Sequence, residues 1–450
     1  MTASQMMAAG FAAAILIGSL FLSLPVCNAD GKWLAWMDAL FTSCSAVCVT
    51  GLVTIVPATQ FTGLGKMILL ILIQLGGFGI IACTMGTFLI LRKQITLRNR
   101  VIIQQGYDLD TMSGLVTTMR YMIRGTFLIE GLGAAGYAIQ FVPEFGLARG
   151  LWYAVFHSVS CFCNAGIDII GENSLGDYVR TPLVNLVTIL LIIVSGLGFL
   201  VWRDVTLAIV RIVRKECSVR RAYERMRLHT KLALSMTALL VISGTVGVFL
   251  MEYGNPETLG GLGFWEKWLA ALFQSVTTRT AGFFTIPQNL FREQTRMLSC
   301  ILMFIGGSPG GTAGGVKTTT VAMLVLTCWS VLKGKEDTEC FRRKIPSSNV
   351  RTGFSVFTVS FLAVLTGTLL LLVVEPVSLT EALYEVISAV ATVGLTTGIT
   401  PALSDAGKLV IIILMYLGRL SPVTMALMFA SKVGRKKSKR KLPDERIMVG

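Results

Sequence analysis

Ser388-Ala389-Val390-Ala391-Thr392-Val393-Gly394-Leu395 ends an apolar run, Leu379–Thr392, that is too short to cross a bilayer. A spanning helix needs about 20 apolar residues. Three other short runs have the same character: Trp33–Val49, Leu151–Cys163 and Phe264–Thr278. They lead into Ser45-Ala46-Val47-Cys48-Val49-Thr50-Gly51-Leu52, Ser160-Cys161-Phe162-Cys163-Asn164-Ala165-Gly166-Ile167 and Val276-Thr277-Thr278-Arg279-Thr280-Ala281-Gly282-Phe283. Aligned on Gly51, Gly166, Gly282 and Gly394, each motif continues with a large apolar residue. Twelve positions before the glycine all four carry alanine: Ala39, Ala154, Ala270 and Ala382. The glycines stand 115, 116 and 112 residues apart. A fixed internal period outranks any local motif as a sign of architecture.

The rest of the chain supplies the frame. Of its 450 residues 53 % are hydrophobic and only 14 % charged, with a mean hydropathy of +0.70. Soluble proteins carry about 25 % charged residues, so this composition excludes a soluble enzyme, a disordered chain and a nucleic-acid-binding module. Apolar segments long enough to span fall near 6–26, 66–91, 121–142, 183–202, 231–251, 297–327, 353–374 and 407–431. The expected fold is an all-α integral membrane protein with eight transmembrane helices. They form four span–pore-helix–span repeats around a pseudo-fourfold pore, with boundaries at 1–110, 111–228, 229–350 and 351–450.

The net charge of +15 is then topology. The basic clusters Arg92–Arg100, Arg203–Lys231, Lys333–Arg351 and Lys432–Arg446 lie on one side of this arrangement, which makes that side and both termini cytoplasmic. The run Arg435–Lys441 reads as a solvated tail obeying this rule, or as a patch for anionic lipid or a cytoplasmic partner. Met1-Thr2-Ala3-Ser4-Gln5 lacks a basic n-region, so the first apolar run reads as a span and not as a signal peptide. The ten cysteines lie scattered in apolar runs and suggest neither a disulfide framework nor a zinc site.

A helix that enters halfway and turns back leaves irregular backbone at membrane depth. Such backbone must line a watery path or be buried in protein. Glycine tolerates φ > 0 and so can aim carbonyls where other residues resist, and four converging strands of carbonyls can replace the water shell of a bare cation. The candidate ion-binding residues are therefore Val49, Thr50 and Gly51; Asn164, Ala165 and Gly166; Thr280, Ala281 and Gly282; Thr392, Val393 and Gly394. The second glycine of the Thr-Val-Gly-Tyr-Gly potassium filter is absent from all four, which predicts fewer coordinating rings. The bland alternative is four glycine turns that serve structure alone.

The sixth span is interrupted by Gly306-Gly307-Ser308-Pro309-Gly310-Gly311-Thr312-Ala313-Gly314-Gly315, followed by Val316 and Lys317. Each glycine costs a helix about 1 kcal/mol and proline about 3, so the segment does not stay helical. A nucleotide-binding P-loop fails in detail, since Val316 separates Gly315 from Lys317 and no parallel-sheet context exists. Smaller interruptions stand at Gly76–Gly79, Ser195–Gly198 and 418–422.

Arg419 is a charge inside a span and so a functional candidate. It reads as an electrostatic barrier to cations, as an anchor for loop carbonyls, or as half of a structural salt bridge. Lys317 adds to the barrier or snorkels to the inner surface. Glu130 reads as an ion or proton site, or as a helix-packing hydrogen bond. Arg279 is expected at the outer mouth, tying the third loop down. Asp168 is expected to concentrate cations outside the second. His157, His229 and Cys161-x-Cys163 show no ligand spacing for a metal.

These motifs resemble the Trk/Ktr/HKT superfamily of potassium transporters, over nearly the whole chain and most closely its KtrB-type membrane subunits. The resemblance implies a potassium uptake pore that conducts K+ down the membrane potential through the four glycine loops. It makes segment 304–320 an intramembrane gate acting with Arg419, and it matches Gly51 to potassium-selective members. It also implies a homodimer with one pore per copy, a KtrA-like cytoplasmic ring that carries the nucleotide, possible stimulation by sodium, and a prokaryotic cell membrane. K+ is cargo, no covalent cofactor is expected, and the chain is not read as an enzyme. The rival reading is a coupled secondary cation transporter with alternating access; it calls for inverted repeats, whereas these four run in one orientation.

Overall fold

The computed structural model describes residues 3–90 and 115–420. The basic clusters at 92–100 and 432–446, and positions 421 and 422 of the last interruption, lie outside the described residues. The described architecture is helical apart from one hairpin of two short strands, β1 (Glu339–Cys340) and β2 (Arg343–Lys344).

The long helices are α1 (Ala3–Ser23), α3 (Gly63–Ile90), α4 (Leu115–Phe145), α8 (Leu228–Glu252) and α12 (Ser347–Val374). The four short apolar runs become α2 (Trp36–Cys48), α5 (Leu147–Cys163), α9 (Phe264–Thr277) and α13 (Leu379–Val390). The remaining major helices are α6 (Pro182–Leu197), α7 (Phe199–Val213), α10 (Glu293–Phe304), α11 (Thr318–Leu332) and α14 (Asp405–Leu420). Large apolar side chains such as Leu16, Leu20, Leu239, Ile242, Leu365, Leu369 and Val373 stand exposed. So much apolar surface on regular helices suits lipid as the surrounding solvent.

Three described helices are long and apolar enough to cross a membrane unbroken: Gln5–Ser23, Leu228–Glu252 and Ser347–Val374. Two other apolar stretches are broken at glycine. Gly79 takes φ 73° inside α3. Gly198 takes φ 89°, and there α7 turns away from α6 by 102°. The apolar run 183–202 is broken at the interruption expected at Ser195–Gly198: the run Leu197-Gly198-Phe199-Leu200 continues, but the helix axis does not. The sixth span is interrupted as expected, with residues 305–317 between α10 and α11.

The short helices start for recognisable reasons. Ser378 and Glu381 form a capping box at α13: Glu381 N–H donates to Ser378 Oγ (3.3 Å), and Ser378 N–H donates to Glu381 Oε2 (3.0 Å). The Ser378 donors hold the Glu381 carboxyl below the usual carboxylate range. At α9 the Gly263 N–H donates to Glu266 Oε2 (2.8 Å). The four matched alanines are all buried, which explains their recurrence.

A second recurrence appears only in three dimensions. Gly18, Gly133, Gly244 and Gly367 each face a leucine of the following helix, Leu72, Leu191, Leu302 and Leu414. In the first three, the hydroxyl of Ser43, Ser158 or Ser275 also packs on the glycine and donates to the carbonyl of Ile15, Glu130 or Val241. Missing side chains here let the short helix approach the long one. Gly133→Val is expected to destabilise the protein by about 1–3 kcal/mol through overpacking. A lowered melting temperature in detergent would show it, and an unchanged one would contradict the close-approach role.

The last described helix meets the first two. Lys408 Nζ of α14 pairs with Asp38 Oδ1 of α2 at 2.7 Å, with both side chains mostly buried, and Thr54 Oγ1 donates to the same oxygen (2.8 Å). Tyr416 OH donates to Ala8 O (2.8 Å). These bonds join the last helix to the first two.

Candidate functional site

Each short helix ends in a turn of one design. Two residues before the glycine the backbone is left-handed, at Val49 (φ 56°), Asn164 (φ 61°), Thr280 (φ 70°) and Thr392 (φ 51°). Four non-glycine residues in that region are costly and worth explaining. The glycines themselves have φ of 99°, 63°, 81° and 92°. Alternating this conformation turns successive carbonyls the same way.

The four turns touch in cyclic order. A β-carbon at Gly51 would stand 2.6 Å from Ala165 O, one at Gly166 2.7 Å from Ala281 O, and one at Gly282 2.5 Å from Val393 O. At Gly394 it would run into Thr50 O. The carbonyl before each glycine therefore reaches the next glycine around a common axis, and no side chain fits between. All twelve candidate filter residues are buried. Thr50 Oγ1, Asn164 Nδ2 and Thr392 Oγ1 have no hydrogen-bond partner among the described residues.

Hydroxyls behind the turns hold them, and sequence reasoning missed these. Ser45 Oγ accepts from Gly51 N–H and Ser388 Oγ from Gly394 N–H, both at 3.0 Å. Ser160 Oγ donates to Ile167 O (2.7 Å), and Thr277 Oγ1 to Phe283 O. The signal was present, since Ser45, Ser160 and Ser388 stand six residues before their glycines. Thr277 stands five before its glycine because the third turn is one residue shorter: Ala281 N–H donates to Thr277 O, four residues back, where the other turns reach five back.

Residues 305–317 lie against these turns on the side of the residues that precede the glycines. The loop is pinched at its base, where Gly306 N–H donates to Val316 O and Val316 N–H to Phe304 O, both at 3.0 Å. Gly314 N–H donates to Thr280 Oγ1 (3.1 Å), and Thr312 Oγ1 donates to Phe162 O (3.2 Å). On its far side the loop rests on the break at Gly198: Ser308 N–H donates to Gly196 O (2.9 Å), and Phe199 N–H to Gly310 O (3.0 Å). Ser195 Oγ links that break to the second turn by donating to Asn164 Oδ1 (3.0 Å).

Three cations engage the loop. Arg419 Nη1 donates to Thr312 O (2.8 Å), while its Nη2 donates to Gly76 O, so the fork bridges the loop and the broken α3. Lys317 Nζ donates to Ala313 O (2.5 Å), turned back onto the loop and not outward to the surface. Arg279 overturns its expectation. It is buried, with Nη1 donating to Thr237 O (3.1 Å) and Nη2 to Gly306 O (3.4 Å). It supports the loop from the side of the third turn on which the residues before the glycine lie.

The remaining candidates are bonded to their neighbours. Glu130 Oε1 accepts from Gln74 Nε2 (3.0 Å), a helix-packing bond. His157 hydrogen-bonds the Tyr153 carbonyl through Nδ1 (2.8 Å) and is ringed by Tyr137, Phe141, Phe156 and Phe283. Asp168 Oδ1 accepts from Gly171 N–H (3.4 Å), closing a turn beyond Gly166. Among the described residues, no three His, Cys, Asp or Glu gather as a metal site.

Apolar helices wrapped around four facing glycine turns define a membrane transport protein. Residues 2–441 match the family model described as TrkH, Cation transport protein, and the chain belongs to that family. It is 39 % identical over 453 residues to the potassium/sodium uptake protein NtpJ of Enterococcus hirae, covering 99 % of this chain and 97 % of that one. It is 36 % identical over 449 residues to the Ktr system potassium uptake protein B of Bacillus subtilis, covering 100 % and 97 %. Its fold matches the crystal structure of the potassium transporter TrkH from Vibrio parahaemolyticus with a TM-score of 0.72 at 20 % identity, over 95 % of this chain and 86 % of that one. The chain is thus a cation transport protein and not an enzyme.

Proposed function

We propose that the chain is the potassium-conducting membrane subunit of a Ktr-type uptake system. It would have eight spans in four repeats, 1–110, 111–228, 229–350 and 351–450, with both termini cytoplasmic. The cyclic contact of the four glycine turns carries this reading, because it sets backbone carbonyls at one axis with no room for side chains. Such a ring can stand in for the hydration shell of a cation of fixed size. The membrane potential supplies the drive, about 2.3 kcal/mol per charge per 100 mV.

In this reading segment 304–320 is the gate. It occupies the inner end of the path and is held by Arg279, Lys317 and Arg419. A KtrA-like nucleotide-binding ring on the cytoplasmic face releases it, and two copies of the chain pair side by side. Stimulation by sodium, which the family resemblance implies, is in keeping with the potassium/sodium uptake protein of Enterococcus hirae.

Flux into proteoliposomes holding this chain alone tests the proposal. Uptake of K+ and Rb+ that follows an imposed inside-negative potential and exceeds Na+ uptake is the expected result. Absence of cation flux, even after deletion of residues 306–315, would overturn it.

A further inference from the structure

We propose that α7 is an interfacial helix whose outer face binds the headgroup of an anionic phospholipid in the inner leaflet. The starting point is the 102° turn at Gly198. A helix so sharply bent from α6, which runs inward, lies close to the membrane plane. Its depth is set by Asp204, whose Oδ2 accepts from Arg227 N–H (3.0 Å) and Thr230 Oγ1 (2.7 Å). Both partners belong to the beginning of the spanning helix α8, at its cytoplasmic end in the expected topology. Thr206 Oγ1 and Tyr121 OH, 3.1 Å apart, tie the helix to α4 as well.

One side of α7 packs on the protein through Val201, Trp202 and Ala208, all buried. The opposite side is apolar and exposed at Leu207 and Val210, and the flanks expose Ile209 and Val213. Arg203, Leu207, Val210 and Arg214 follow one another at i, i+4, i+7 and i+11, so they share a face of the helix. Two exposed guanidinium groups thus bracket an aliphatic strip, and Arg211 stands exposed beside it. The single acid on α7, Asp204, is turned to α8. Among the described residues no ion pair engages Arg203, Arg211 or Arg214.

Aliphatic side chains facing acyl chains with arginines at headgroup level are what an interfacial helix presents to lipid. The cytoplasmic leaflet carries the negative charge that those arginines complement. A soluble protein partner would leave Ile209 and Val213 to find a matching apolar surface outside the bilayer, which this position at the membrane makes less favourable. The site does not depend on the pore reading.

The test uses the full-length protein reconstituted in phosphatidylcholine vesicles containing about one quarter phosphatidylglycerol, then counts co-purified lipid by native mass spectrometry. Wild type is expected to retain phosphatidylglycerol in preference to phosphatidylcholine. Replacing Arg203, Arg211 and Arg214 together by glutamine should lower that preference about tenfold or more, since each cation near the surface contributes. The matching triple lysine variant, which keeps the charge, should restore most of it and guards against a folding defect. Equal phosphatidylglycerol retention in wild type and the glutamine variant would overturn the proposal, as would loss of preference in the lysine variant or retention indifferent to headgroup charge.

Discussion

Gly394→Ser is expected to cut potassium flux by about tenfold or more and to bring the potassium-to-sodium ratio towards one. Two costs combine. At φ 92° the backbone sits where a side chain is strained, by roughly 1–2 kcal/mol. The new β-carbon would also meet the carbonyl of Thr50 in the neighbouring turn, and that carbonyl belongs to the proposed coordinating ring. Relieving the collision displaces a ligand, and each 1.4 kcal/mol of lost ion stabilisation is about a factor of ten. Gly398→Ser is the control. Gly398 has φ 100° but open space around it, so it carries the strain without the collision. Paired flux measurements that affect Gly394→Ser alone would support the ring; equal effects would attribute the loss to strain.

Arg419→Ala is expected to raise basal cation flux through the isolated chain by about tenfold or more. Its guanidinium donates to Thr312 O on the loop and to Gly76 O on α3. Hydrogen bonds from charged groups contribute about 1.5–3 kcal/mol each, so losing them shifts the loop away from its docked position. Removing a positive charge from the path acts in the same direction. Arg419→Lys separates the two effects, because lysine keeps the charge and lacks the rigid two-pronged fork. If anchoring dominates, lysine raises flux nearly as much as alanine. If the barrier dominates, lysine behaves as wild type. Flux unchanged or lowered in both variants would contradict a restraining role for Arg419.

The parts of the site legible in the sequence were those written as local exceptions to helix formation. A glycine closing a run too short to span marks a turn wherever it falls, and four at one period mark a ring. The segment 306–315 announced itself in the same way. The alanines at 39, 154, 270 and 382 were visible as a pattern before their burial gave the reason.

What escaped was direction and depth. The interruption at Ser195–Gly198 was legible, but the apolar run through Leu197, Gly198 and Phe199 does not show that the axis turns by 102°, since hydrophobicity reports environment and not heading. Arg279 was expected outside because it adjoins a filter motif. The chain reaches that motif from the end of the short helix, so the residues before the glycine lie on the side of the loop 305–317, where Arg279 meets Gly306. The pairing of Gly18, Gly133, Gly244 and Gly367 with Leu72, Leu191, Leu302 and Leu414 joins separate helices, and spacing along one chain does not display such contacts.

The central claim is that the four turns enclose one cation path with carbonyl ligands. Anomalous diffraction from crystals grown with rubidium or thallium in place of potassium tests it most directly. The account predicts anomalous density on the axis bounded by Gly51, Gly166, Gly282 and Gly394, within reach of the Thr50, Ala165, Ala281 and Val393 carbonyls. Ordered ions found only elsewhere, with that axis empty at saturating ion, would contradict it.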